Sequence, residues 1–273
     1  MAESLAGKVA WITGGGSGLG LYLAVELARR GCDVAVSGRR VDRLAEAVAA
    51  IEATGRRGYA VACDVTDDAS VAAAVAEVVA KAGRLDIAVA NAGFGVGGRI
   101  ETVDAAAWRR QFETNVVGLT STIFHAMPEL RKSQGRMVLV GSVSGFVASP
   151  GMAPYHASKY AVRAIGQSLS MELAGSGVSC TSIHPGFVAS EIAQVDNTGV
   201  FRPEVADGRP AKLMWPTDRA ARVMADAILA RRREFVFTFH GKVAAWLGMH
   251  APWLVHAVAS RFSSSYRRRK LEG

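Results

Sequence analysis

Seven short apolar runs, most of them rich in β-branched residues, recur at 9–13, 33–37, 59–63, 87–90, 136–140, 178–183 and 235–237. Several are apolar nearly throughout, without the alternation of a half-exposed strand, as a parallel sheet covered on both faces requires. Helix-like segments lie between them, near 18–30, 41–54, 68–82, 104–132, 155–175 and 217–232. Strand and helix therefore alternate as repeated βα units, and right-handed crossovers between such units build a doubly wound parallel α/β sheet. No proline-rich or low-complexity linker interrupts residues 1–190. The pattern predicts a single domain over 1–233. Within it, 191–215 is rich in turn formers, and 234–273 adds a last strand and a basic, apolar helical extension.

Composition changes this picture little, and charge changes it in one place. Half of the 273 residues are apolar, ample for a core of this size. The net charge is +8, but from Arg231 onward nine Lys and Arg face only Glu234 and Glu272, leaving +7 there and +1 for the body. A body that is nearly neutral lacks the spread of cations that a phosphate-tracking surface needs, so no nucleic-acid partner is expected. Cys32, Cys63 and Cys180 show neither a disulfide framework nor zinc-ligand spacing, which suits a reducing, cytoplasmic setting. The six histidines lack H-x-x-x-H spacing, and no metal site is expected. The opening MAESLAG places an acidic residue before a run that belongs to a strand, so it does not read as a signal peptide. GSVSG at 141–145 resembles a nucleophile elbow only loosely, because Val143 stands where the nucleophile would be.

Candidate chemistry begins where the first strand ends. TGGGSGLG, 13–20, places Gly14, Gly18 and Gly20 between a strand and a helix beginning near Leu19, with Ser17 among them. Glycines there let the backbone approach a pyrophosphate, which the N–H groups and dipole of a helix N-terminus stabilise. The second strand ends in SGRR: Gly38 occupies the place of the carboxylate that would bind a ribose 2′-hydroxyl, and Arg39 and Arg40 follow. A guanidinium fork suits a 2′-phosphate, favouring NADP(H) over NAD(H), although a solvated basic pair opening the next helix would look the same locally. Further on, Tyr155 and Lys159 lie four residues apart, on one helical face. By themselves they fit equally a half-buried tyrosine covered by a surface lysine.

The chain resembles the short-chain dehydrogenase/reductase family over roughly residues 5–190. The resemblance rests on TGGGSGLG at 13–20, Asp64 after the third strand, NAG at 91–93, the N-V pair at 115–116, GSVSG at 141–145, YHASK at 155–159 and PGFVAS at 185–190, in that order. It implies a Rossmann-like fold and an alcohol dehydrogenase or carbonyl reductase. Tyr155 would be the general acid or base, and Lys159 would hold the nicotinamide ribose and sustain a proton relay. Asn115 would position a water in that relay, and Ser142 would hydrogen-bond the substrate oxygen. Asp64 and Val65 would flank the adenine, Asn91, Ala92 and Gly93 would line the cleft, and Pro185, Gly186, Val188 and Ser190 would hold the nicotinamide end. A phenol of pKa near 10 that exchanges protons near neutrality must be made more acidic by about 3 pH units, roughly 4 kcal/mol, and a nearby ammonium acts in that direction.

Phe94, Val96, Ser144, Phe146, Met152 and Phe187 lie beside these residues in sequence and suggest an apolar pocket for a small carbonyl or alcohol, with 191–215 as a lid. In the family such chains form homodimers or homotetramers. A cofactor-binding sensor or scaffold without turnover is the alternative of a different class; its sign would be a defect among Asn115, Ser142, Tyr155 and Lys159, and none is seen. In the extension, Lys242 and Arg261 bracket eighteen uncharged residues, VAAWLGMHAPWLVHAVAS. Three placements are open for 241–270: packing on its own domain or a partner subunit, lying on an anionic membrane surface, or spanning a membrane.

Overall fold

A computed structural model describes the backbone of residues 5–271 and the side chains of 5–261; the basic cluster at 267–270 and Glu272 therefore lie outside the described side chains. β1 (Val9–Thr13), β2 (Asp33–Gly38), β3 (Gly58–Ala62), β4 (Ile87–Ala90), β5 (Arg136–Val140), β6 (Ser179–His184) and β7 (Glu234–Val236) form one sheet in the order β3-β2-β1-β4-β5-β6-β7. All six pairings are parallel. The apolar runs of β1, β4 and β5 are buried along their whole length, because helices cover both sheet faces.

The helices are α1 (Gly18–Arg29), α2 (Val41–Glu52), α3 (Asp68–Ala82), α4 (Ala105–Phe112), α5 (Gly118–Ser133), α6 (Ala153–Glu172) and α7 (Thr217–Leu229). One core cluster joins α1, α2 and α7 to the sheet through Leu23, Leu27, Leu44, Ile51, Met224 and Ile228. The other joins α3, α5 and α6 through Val71, Val78, Leu119, Leu130 and Val162. Local signals fix the helix ends: Asp67 and Asp104 accept hydrogen bonds from Ala69 N (3.0 Å) and Ala107 N (2.7 Å), and Gly83 closes α3 in the left-handed region.

Two regions depart from the sequence reading. The segment expected as one helix over 104–132 is interrupted by a π-helical turn, Glu113–Val117, which contains Asn115. The extension forms two helices, α8 (Phe239–His250) and α9 (Pro252–Leu271), with Pro252 opening the second. α8 buries Gly241 and Ala245 against the body, whereas none of the described side chains of α9 is buried. Residues 191–215 hold only short 3₁₀ turns and the bridges Val188–Trp215 and Val195–Phe201. Among the described residues no helix is long and apolar enough to cross a membrane, so the spanning placement falls away.

Candidate active site

A cleft of about 970 Å³ opens at the carboxyl ends of β1, β2, β4, β5 and β6, where strand order reverses between β1 and β4. Such a switch point is where an open α/β sheet offers a crevice. The glycine loop forms one wall. Gly14 has φ 65°, and a Cβ on it would stand 2.9 Å from the Ala92 Cα; a Cβ on Gly20 would collide with the Gly14 carbonyl. Loop and opposite strand are locked together: Asn91 Nδ2 donates to Thr13 O (2.9 Å) and Gly14 O (3.1 Å). Thr13 Oγ1 accepts from Asn91 N (3.1 Å) and Ala92 N (3.2 Å). Asn91 thus shapes the loop with its side chain. No side chain caps α1, and Gly18, Leu19 and Gly20 of its first turn line the cleft.

Arg39 and Arg40 stand at the rim beyond β2. Arg39 Nη2 donates to Gly199 O (3.4 Å), and Arg40 Nη2 to Ser17 Oγ (3.0 Å) and Glu191 Oε2 (3.3 Å). Arg40 also lies over the Phe201 ring, 5.7 Å from its centroid. Segment 191–201 therefore reaches both arginines, and Asn197 ties it to the opposite wall by accepting from Gly97 N (2.9 Å) and donating to Gly97 O (2.7 Å). Asp64 accepts from Thr66 N (3.0 Å) and Thr66 Oγ1 (2.8 Å), leaving its loop stiff beside Val65.

Ser142, Tyr155 and Lys159 meet at the far end. Ser142 follows β5 and accepts from Ser144 N (3.1 Å), so the turn at Val143–Gly145 fixes the hydroxyl, which lines the cleft together with Tyr155. Lys159 Nζ donates to Val140 O (2.9 Å) and lies 5.8 Å from the centre of the Tyr155 ring. Burial lowers the Lys159 pKa to about 8. Burial also raises that of Tyr155, against the opposing pull of the Ser142 hydrogen bond and of Arg209. In the protein by itself the phenol is therefore shifted upward, opposite to the expected acidification, because burial disfavours phenolate and ammonium alike.

All the residues expected to bind the dinucleotide line this cleft, from Gly14 and Ser17 to Val188 and Ser190. Asn115 does not reach it. Its Oδ1 accepts from Phe94 N (3.1 Å), and its Nδ2 donates to Phe94 O (3.0 Å) and Ser158 Oγ (3.2 Å), which uses both of its donors. Of the six expected pocket residues, Phe94 lines the cleft. Val96 is fully buried, and Phe146 is buried at the end of the turn after β5, edge-on to His184 (4.9 Å) and covered by the Arg163 guanidinium (3.9 Å). Ser144 supports Ser142 through its amide. Met152 borders Gly95 and Gly97, and Phe187 stacks on His240 (5.5 Å). Ile192, Val195, Phe201 and Arg209 line the cleft as well, with Val195 packed on the Phe94 cluster and Phe201 under Arg40. Arg209 donates to Val188 O (3.0 Å) and Ser190 O (2.9 Å), an attachment that no pattern in 191–215 announces.

The family model for short chain dehydrogenases matches residues 8–200. The chain belongs to the short-chain dehydrogenase family. An uncharacterised oxidoreductase of Myxococcus xanthus is 37% identical over 198 residues, covering 72% of this chain and 78% of that protein. A short-chain dehydrogenase/reductase from Burkholderia phymatum, solved in complex with NAD, superposes with a TM-score of 0.77 at 28% identity, covering 86% of this chain and 90% of that one. An alcohol dehydrogenase of Thermococcus sibiricus, solved with 5-hydroxy-NADP, gives 0.73 at 25% identity, over 84% and 95% of the two chains. The short-chain dehydrogenase fold explains why the glycine-loop wall and the Ser142–Tyr155–Lys159 wall face each other. It leaves the choice between NAD and NADP to the residues of this chain.

Proposed function

We propose that the protein is an NADP(H)-dependent oxidoreductase that interconverts a carbonyl and an alcohol on a small apolar substrate. The observation that carries this reading is the convergence of Ser142, Tyr155 and the buried Lys159 at one end of a glycine-walled cleft whose other end holds Arg39 and Arg40. A dinucleotide fits this wall, because the uncapped first turn of α1, Gly18 to Gly20, lines the cleft with backbone N–H groups that a pyrophosphate can accept from. Gly14, Ser17, Gly18, Leu19 and Gly20 would hold its pyrophosphate, Arg39 and Arg40 a 2′-phosphate, and Pro185, Gly186, Val188 and Ser190 its nicotinamide end. When bound, the nicotinamide supplies or accepts the hydride.

The chain's own residues do the rest. Ser142 Oγ donates a hydrogen bond to the substrate oxygen and, together with the phenol, orients it. In reduction Tyr155 Oη gives its proton to that oxygen; in oxidation it takes the proton back. Lys159, held on the Val140 carbonyl, keeps a cation within one helical turn of the phenol, and a positive field that grows when an oxidised ring is present lowers the phenol pKa. Phe94, Ile192 and Val195 exclude water from the reacting end and favour an apolar substrate. A homodimer or homotetramer in the cytoplasm completes the proposal.

A panel of steroid, retinoid, fatty and small aromatic carbonyls with NADPH and with NADH, followed by coenzyme absorbance, tests the reading. Turnover with an apolar member, faster with NADPH, is expected. Arg39→Ala is expected to weaken NADPH binding about tenfold and leave NADH binding nearly unchanged; an unchanged ratio would overturn the phosphate assignment. Tight coenzyme binding with no turnover of any carbonyl would favour a sensor or scaffold.

A further inference from the structure

We propose that the outer face of α8 and the start of α9 is a docking surface for an anionic lipid bilayer, on which the protein lies without crossing it. α8 presents Phe239, Val243 and Trp246 to solvent at positions spaced by four and three, one helical face, while Gly241 and Ala245 face the body. α9 continues the surface with exposed Trp253, Leu254 and Val258. Phe239 and Trp253 are 82% and 71% exposed, and with Val243, Trp246, Leu254 and Val258 they cluster on two consecutive helices instead of standing singly.

Charge says what covers this face. From 235 to 271 the sequence contains six Lys and Arg and not one Asp or Glu. Lys242 and Arg261, among the described side chains, are both exposed. A second copy docking isologously would set this cationic surface against itself, and residues 1–230, near neutral at +1, offer little counter-charge. A bilayer with anionic headgroups complements cations, tryptophans and aliphatic side chains together. Neither helix is apolar enough to enter as a span.

The surface sits beside the active site. Phe187 N donates to His240 Nε2 (3.2 Å), and a Cβ on Gly248 would collide with the Phe146 carbonyl, so α8 is seated on both the 185–187 loop and the loop after Ser142. A bilayer on α8 and α9 would therefore border the substrate end of the cleft, where apolar carbonyls dissolved in lipid are most concentrated.

Flotation of the full chain with vesicles of equal parts phosphatidylglycerol and phosphatidylcholine, and with phosphatidylcholine alone, tests the assignment without reference to turnover. The protein is expected to float with the mixed vesicles, to stay behind with phosphatidylcholine, and to be released by added salt. Each of Lys242→Gln and Arg261→Gln is expected to weaken binding roughly fivefold. The double variant Trp246→Glu, Trp253→Glu, both positions being exposed, is expected to melt like the parent and to lose flotation. No flotation of the parent, equal flotation with both lipids, or full flotation of the double variant would overturn the proposal. Loss of self-association in the double variant, with no vesicle binding by the parent, would assign the face to a second subunit.

Discussion

Lys159 is buried in α6 with its ammonium on the Val140 carbonyl, and its pKa falls from 10.5 to about 8. The unfolded chain therefore binds more protons than the folded one between those values, so this group makes stability rise with pH from about 8 to about 10.5. Below pH 8 the full cost of burying the cation applies, roughly 3 kcal/mol. Lys159→Met removes that cost and leaves the Val140 carbonyl without its donor, which returns about 1 kcal/mol. Denaturant unfolding at pH 7 is expected to find the variant more stable by about 2 kcal/mol, the gap closing toward pH 10, with turnover lost. Equal stability at pH 7 would show that the ammonium is not paying a burial cost. The Tyr155–Lys159 spacing was legible in the sequence because helical period alone stacks the two. The pocket was much less legible: Val96 and Phe146 are adjacent in sequence to site residues, but adjacency does not say toward which side of the strand end a side chain turns, and both turn into the core.

At the scale of elements, the π-helical turn and α8 are the parts that shape the site from outside it. Nothing in ETNVV marks a break in helical period, because the turn is held by a distant partner: Asn115 clasps the Phe94 backbone on the β4 side. The seat of α8 was hidden for a similar reason. Thr238 adopts φ 71°, a conformation that β-branched residues avoid. It is held there while its hydroxyl caps α8 by accepting from Gly241 N (3.1 Å). His240 then accepts from Phe187 N and stacks on the Phe187 ring. His240→Phe keeps a ring for the stack but strands a partly buried amide, at a cost of about 1 to 3 kcal/mol. The expected outcome is a coenzyme KM raised about tenfold with kcat much less affected, and recovery in His240→Gln, whose amide oxygen can accept. If His240→Phe and His240→Gln behave alike, the hydrogen bond does not position the 185–187 loop.

Across the whole molecule, the doubly wound sheet was the most legible feature: seven apolar runs in the sequence correspond to seven parallel strands, with ends displaced by a residue at β2, β3, β6 and β7. Buried parallel strands announce themselves because both faces must be apolar, whereas a segment held by scattered contacts such as Asn197–Gly97 and Arg209–Ser190 leaves no periodic trace. In the proposed function two separate tasks fall on opposite sides of the β1–β4 switch, holding the pyrophosphate on the glycine-loop side and moving a proton on the β5–α6 side. A single variant that separates them is the most direct test. NADPH binding and carbonyl turnover should be measured together on Tyr155→Phe, which keeps the ring beside Lys159 and removes only the hydroxyl. The account requires NADPH affinity within about threefold of the parent and turnover reduced by about a thousandfold or more, the range of a lost general acid. Turnover that survives the loss of that hydroxyl would contradict it.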